Sequence, residues 1–240
     1  EHIKTGRFGE WLAGNAHCFV PFPALDTEVY LVGLAASPGV IYSPFEPQPV
    51  GPGQADQSYA ILPFAPALNI DSSNRAAIVH LDPAQPDHRQ VREPVILWNT
   101  VSGSAQIVTR GVRTIPNYSG APNGLNALAG YSDDKSWYAL PRARTAVGHS
   151  ADRRTLVLFT VDAAGGSAGM TVGEVADWLI RDYAVADALN LDGGGSTTLA
   201  MEDPVTHRGR LMNTPGDGAG GRTVGSSLAV FARTLKSVTP

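Results

Sequence analysis

The hydrophobic positions of this chain follow two regimes. Up to Pro94 they come in short runs cut by prolines and turn residues, and Val29-Tyr30-Leu31-Val32 and Ala76-Ala77-Ile78-Val79-His80 predict short strands between loops. The stretch from Ser43 to Gly53 carries Pro44, Pro47, Pro49 and Pro52. Each proline removes a donor and restrains its predecessor, so a long surface loop is expected there. From Val95 the pattern sharpens. Val95-Ile96-Leu97-Trp98 and Ala105-Gln106-Ile107-Val108 flank Ser102-Gly103, which predicts a hairpin with a tight turn. The polar, glycine-rich stretch from Asn117 to Lys135 has the length of a functional loop rather than a simple connection.

Thr155 to Val161 is nearly all apolar and β-branched or aromatic, as expected of a central strand buried on both faces. After a glycine-rich loop comes Thr171-Val172-Gly173-Glu174, a capping box in which Thr171 and Glu174 satisfy the first unpaired amides of a helix. Val172, Val175, Ala176, Leu179 and Tyr183 then recur at helical spacing, predicting a buried helix face that ends near Tyr183. Ala188 to Asp192 reads as a strand entering a triple-glycine turn, Ser196 to Met201 as the strand leaving it, and Arg222 to Phe231 as a last strand. The expected fold is α+β, a single domain with a mixed β-sheet core and a few packed helices. Residues 1–94 form its loop- and strand-rich N-terminal part and 95–240 its core.

Composition narrows the function. The chain has 240 residues, 43% hydrophobic and 17% charged, so burial can offset the ordering entropy of one domain. A net charge of -4 with dispersed acids and bases gives no electrostatic footprint for nucleic acid. No apolar run is long enough for a membrane helix, and Glu1-His2-Ile3-Lys4 is unlike a signal peptide. The 26 glycines and 18 prolines suit a loop-rich exported carbohydrate-active domain, a mature secreted or cell-surface chain without its leader. Cys18, the one cysteine, has no internal partner for a disulfide, and packing is its expected role.

The segment Asn190-Leu191-Asp192-Gly193-Gly194-Gly195-Ser196-Thr197-Thr198 concentrates the chemistry. Three glycines remove every Cβ where the chain leaves a buried strand, so the backbone can take positive φ and turn several amides toward an oxyanion or phosphate. Asp192 adds a carboxylate, and Ser196, Thr197 and Thr198 add hydroxyls. The plainer alternative is a tight β-turn whose glycines only relieve strain.

This segment resembles the signature of the phosphodiester glycosidase family. Arg144-Thr145-Ala146-Val147-Gly148 is similar to a second family segment, Gly169-Met170-Thr171 with Glu174 to its helix start, and Arg222 to Leu228 to its closing strand. The resemblance runs from Val95 to Phe231 and marks residues 95–240 as the catalytic core. Before Val95 the nearest counterpart of an asparagine usual in the family is Asn69, without the paired aromatics beside it.

The resemblance implies a hydrolase that cleaves a sugar-1-phosphodiester in an extracellular glycan or glycoconjugate, releasing the sugar and leaving a phosphomonoester. Asp192 is then the central carboxylate, as nucleophile, base or electrostatic stabiliser, with Asp162 at the end of the neighbouring strand as its partner. Arg144 offers a planar fork of donors for phosphate, or else an ion pair with an acid. Asn69, His80, Thr145, His149, Asn190, the glycines 193–195, Ser196 and Thr197 are candidate substrate contacts. Asp162 and Asp192 could instead share a hard cation, Ca²⁺ or Mg²⁺. Trp137-Tyr138 is the best-placed platform for stacking a sugar. An ordinary glycosidase or depolymerase on the same scaffold, and a carbohydrate-binding module without catalysis, are the competing readings.

Overall fold

The computed structural model describes residues 12–20, 29–48, 61–116, 137–203, 205–218 and 220–231. In chain order the strands are β1 (Leu12–Asn15), β2 (Phe19–Val20), β3 (Tyr30–Leu31), β4 (Ala35–Ala36), β5 (Ile41–Ser43), β6 (Ala67–Ile70), β7 (Ala76–Val79), β8 (Asn99–Ser102), β9 (Ala105–Thr109) and β10 (Val112–Arg113). They continue as β11 (Arg144–Ser150), β12 (Leu156–Val161), β13 (Val185–Asn190), β14 (Leu199–Glu202), β15 (Gly209–Leu211) and β16 (Ser227–Val230), and helix α1 (Val172–Tyr183) lies between β12 and β13.

Three sheets carry the architecture. The first has the order β10-β9-β13-β11-β12, the second β5-β4-β8-β6-β7 and the third β15-β14-β1-β16, with β2 and β3 pairing apart. The chain is mostly β, and among the described residues α1 is the one α-helix where a few were expected. The described strand pairs run antiparallel, so direction is not mixed within the sheets.

Side chains that alternate along β11 and β13 divide the core into two layers. Ala146 and Ala188 face α1, packing with Val172, Val175, Ala176 and Leu179. Val147 and Leu189 point the other way, onto Leu68, Ile78 and Val101 of the second sheet. The first sheet is therefore covered by a helix on one face and a sheet on the other. Burial of Val172, Val175 and Leu179 contributes roughly 1.5–3 kcal/mol each. The capping box forms as the sequence predicts, with Glu174 N donating to Thr171 Oγ1 at 3.1 Å and Thr171 N to Glu174 Oε2 at 2.7 Å. Tyr183 departs from the predicted buried face: it is 47% exposed, its ring edge-on to Phe159.

Two strand assignments change. Among the described residues Leu156–Val161 is an edge strand, paired through β11 alone, although Leu156 and Leu158 pack into one core layer and Val157, Phe159 and Val161 into the other. Both faces are covered, which makes an edge strand look central in sequence. The predicted hairpin at Ser102-Gly103 does not form, because β8 belongs to the second sheet and β9 to the first. Gly103 is instead a crossing point: a Cβ there would collide with the Asn190 carbonyl, and Ser104 N donates to that same carbonyl at 2.7 Å. The proline-rich loop is described only to Gln48, and the stretch from Asn117 to Lys135 lies outside the described residues.

Candidate active site

Asp192 follows β13 at the place where the first and third sheets meet. Leu191 N donates to Thr145 O at 2.8 Å and Asp192 N to Ala16 O at 3.1 Å, which ties the strand end to β11 on one side and to the residue after β1 on the other. Asn15, the last residue of β1, fixes the junction. Its Nδ2 donates to Asp192 O at 2.6 Å, and its Oδ1 accepts from Thr145 Oγ1 at 2.8 Å and Thr198 N at 3.1 Å.

The glycine turn is shaped differently from the expected amide nest. Gly193 N donates to Asp192 Oδ1 at 2.9 Å, Gly194 N to Ala143 O at 2.8 Å, Ser196 N to Gly193 O and Thr197 N to Gly194 O, both at 3.2 Å. The last two close a 3-10 turn over Gly194–Ser196, and the first two are taken by Asp192 and Ala143 rather than turned toward a ligand. Gly194 needs its positive φ of 59°, and Gly195 needs space: a Cβ there would meet Asp217 Oδ1 at 2.5 Å and also collide with Arg222 Nη2.

What the turn does present is side-chain polarity. The buried side-chain atoms without a hydrogen-bond partner among the described residues are Ser102 Oγ, Arg144 Nη1, Asn190 Oδ1, Ser196 Oγ, Thr197 Oγ1 and Thr198 Oγ1. Four of these six belong to the segment 190–198 itself. A buried polar atom left unpaired costs roughly 1–3 kcal/mol, so a cluster of them marks a place organised for a polar ligand or bound solvent.

Burial pushes the Asp192 carboxyl up to about 6, against the ordinary carboxylate value of 3.8. Ser196, the Gly193 amide, the positive charge of Arg222 and Cys18 pull the other way. Ser196 acts through proximity, since its hydroxyl makes no hydrogen bond of good geometry. The Gly193 amide and the Cys18 thiol, at 3.7 Å, both approach Oδ1, which leaves Oδ2 for a reacting group. Cys18 therefore lies at the site, its own thiol held protonated by burial and by the Asp192 charge. His17, beside it, bonds Ser226 Oγ through Nδ1 at 2.7 Å, and burial lowers its pKa to about 4, so it is neutral at physiological pH.

Two arginines flank the turn in different ways. Arg144 is fully buried; Nε donates to Met170 O at 3.1 Å and Nη2 to the carbonyls of Trp137 and Leu140 at 2.5 Å each. Its guanidinium lies 4.6 Å from the centre of the Trp137 ring, and burial lowers its pKa to about 10. Trp137 in turn packs on Gly193 and Gly194. Arg144 thus braces the turn from behind, with Nη1 unpaired among the described residues. Arg222, with 23% of its side chain exposed, pairs with Asp217, Nε and Nη2 reaching the same Oδ2 at 2.6 and 2.5 Å.

The other sequence candidates divide clearly. Asn190 and Thr145 are brought to Asp192: Asn190 Nδ2 donates to Ser104 Oγ at 2.8 Å, and Thr145 bonds Asn15. Asp162 is linked only indirectly, accepting from Asn213 Nδ2 at 2.8 Å and Thr214 N at 2.7 Å while Asn213 also donates to Thr197 O. Among the described residues no group of three or more His, Cys, Asp or Glu gathers in metal-binding geometry. Asn69 spends its amide on Ile96 O, Trp98 N and Thr100 Oγ1 within the second sheet. His80 bonds Glu93 and Gln106, and His149 bonds Ser150 O and stands opposite Asp187 in the β11–β13 register, three pairs beyond Ala146 and Asn190.

A sequence model of the phosphodiester glycosidase family matches residues 66–231 of this chain. The chain belongs to the phosphodiester glycosidase family. The segment holds Arg144, Asp192, Asp217 and Arg222, whereas Asn15, His17 and Cys18 precede it.

The mouse N-acetylglucosamine-1-phosphodiester alpha-N-acetylglucosaminidase is 40% identical over 75 residues, covering 31% of this chain and 13% of the mouse protein. The human counterpart is 41% identical over 76 residues, again 31% of this chain and 13% of that protein. The alignments thus span about an eighth of the length of these relatives. Among solved structures, the zebrafish enzyme's catalytic domain, auto-inhibited by its pro-peptide, aligns with a TM-score of 0.57 at 20% identity over 94% of this chain and 64% of that one. A Burkholderia pseudomallei protein thought to be exported aligns with a TM-score of 0.55 at 15% identity, covering 96% of this chain and 67% of that one. At these identities the two structures establish a shared fold for this phosphodiester glycosidase family member.

Asn15, Cys18, Asp217 and Arg222 are the site residues that sequence reasoning did not select. Arg222 carried a signal, as the first residue of the family-like closing strand; the other three carried none.

Proposed function

We propose that this chain hydrolyses the bond between the anomeric carbon and the phosphate oxygen of a sugar-1-phosphodiester in an extracellular glycan or glycoconjugate. The observation that carries the reading is the cluster of buried hydroxyl and amide groups unpaired among the described residues, around a carboxyl whose pKa burial raises to about 6, with a partly exposed guanidinium beside it. Family membership, and relatives named for N-acetylglucosamine-1-phosphodiester cleavage, select this chemistry among those such a site could perform. The loop-rich composition and the exported neighbour support the extracellular setting.

A single ionised carboxylate is enough for this reaction. The departing group is a phosphomonoester whose second pKa is about 6, so it leaves without a strong general acid, unlike the alkoxide of an ordinary glycoside. Asp192 Oδ2 attacks the anomeric carbon or takes a proton from the attacking water, the C1–O bond breaks, and its electron pair leaves with the phosphate. The Arg222 guanidinium faces the charge that builds on that phosphate, and the hydroxyls of Ser196, Thr197 and Thr198 are available for its oxygens or those of the sugar. Arg144 holds Trp137 and the glycine turn in place.

The test is hydrolysis of an N-acetylglucosamine-1-phosphodiester in ¹⁸O-labelled water beside a neutral aryl glycoside of the same sugar. The expected result is release of the sugar carrying the label. Label in the phosphate would mean P–O cleavage, and turnover of the neutral glycoside alone would assign the site to an ordinary glycosidase; either overturns the reading.

A further inference from the structure

Asp217 bonds the guanidinium proposed to face the substrate phosphate. Its Oδ2 receives both Nε and Nη2 of Arg222, at 2.6 and 2.5 Å, the two donors a phosphate oxygen would meet. The pair is not a remote surface bridge. It lies against Gly195, in the middle of the turn that follows Asp192, where a Cβ would push the pair aside. Arg222 also lowers the pKa of Asp192, so guanidinium and nucleophilic carboxyl feel one another while Asp217 is bound.

We infer that Asp217 is a built-in anion that occupies the phosphate position on Arg222 and must be displaced by the substrate, which makes it a specificity-determining residue. The inference rests on the phosphodiester reading above. A neutral glycoside brings Arg222 no charge to replace the carboxylate, and opening a partly buried ion pair without compensation costs free energy. A phosphodiester brings a charge of its own and restores the balance, so the exchange proceeds at little net cost. With 43% of its side chain exposed, Asp217 has solvent to receive it when it swings away. The pair thereby selects anionic aglycones over neutral ones through the cost of opening it rather than through added attraction.

The experiment is binding of inorganic phosphate, measured by calorimetry on the wild type, Asp217→Asn and Asp217→Glu, a readout that needs no turnover. Removing the competing charge is expected to tighten phosphate binding about tenfold in D217N, while D217E stays within about twofold of the wild type. Equal affinity in D217N and wild type overturns the inference. A second measurement uses the unsubstituted protein, so it survives a folding failure of the variants: phosphate titrated into ¹⁵N-arginine-labelled enzyme should shift the Arg222 Nε–H resonance saturably. No shift at saturating phosphate overturns the inference as well. Tightened phosphate binding without hydrolysis of any sugar-1-phosphodiester would leave this inference standing and remove the proposed activity.

Discussion

Asn15 holds the main chain of Asp192 from 177 residues away, through a 2.6 Å bond from its Nδ2 to the Asp192 carbonyl. The same side chain accepts from Thr145 Oγ1 and Thr198 N, so one buried amide joins β1, β11 and the exit of the glycine turn. Asn15→Ala would strand Thr198 N and loosen the Asp192 backbone. A loss of about 2–3 kcal/mol in denaturant unfolding is expected, with a fall in kcat/KM larger than the stability loss explains. Full activity in a folded N15A protein would show that the junction does not position the carboxylate.

Asp192→Asn should abolish turnover, by roughly 10³–10⁴-fold in kcat, and at the same time stabilise the fold at neutral pH. The Asp192 carboxyl has a folded pKa of about 6 against 3.8 unfolded, so between those values the folded state binds the proton more tightly. Its contribution is favourable below pH 3.8 and is lost as pH rises through 6, leaving a cost of up to about 3 kcal/mol at pH 8. The asparagine carries no such cost. Urea unfolding of D192N and wild type should therefore diverge at pH 8 and converge near pH 4; a constant difference at both pH values contradicts the burial of this group.

The same shift fixes the acid limb of the rate profile. Because the mechanism needs the ionised carboxylate, kcat/KM should climb with pH, level off above about 6, and be roughly half-maximal there. An activity that falls across this interval would assign Asp192 the role of general acid.

Gly195→Ala places a methyl group against Asp217 and Arg222. Displacing the pair should raise KM for a sugar-1-phosphodiester about tenfold or more, while circular dichroism and Tm report a folded chain. An unchanged KM would detach the Arg222–Asp217 pair from substrate binding.

Arg144→Lys keeps the charge and loses the fork that serves three carbonyls. Expected are a loss of about 2–3 kcal/mol in stability and quenching changes in Trp137 fluorescence, since the ring rests on that guanidinium. Wild-type stability and an unshifted spectrum would mean the brace is dispensable.

The sequence by itself determined what depends on neighbours a few residues apart. The capping box of Thr171 and Glu174 and the helical stripe from Val172 to Leu179 follow from local backbone chemistry and stand where the sequence puts them, and the strand before the glycine turn forms too, over Val185–Asn190 rather than Ala188 to Asp192. Tertiary structure decided everything that depends on who meets whom. Gly103 sends the chain from one sheet to another because it must pass the Asn190 carbonyl, and no pattern around Ser102 encodes that encounter. Leu156 to Val161 reads as central because its side chains pack into a core layer on each face, yet its place at the edge of the described sheet is a property of strand order. The division of labour between the arginines is of the same kind: Arg144 and Arg222 carry identical donors, and only packing makes one a buried brace under Trp137 and the other a partly exposed cation beside the carboxyl. Asn15 and Asp217 stayed invisible because a polar side chain acquires its role from partners brought close by folding, and sequence separation holds no record of that distance.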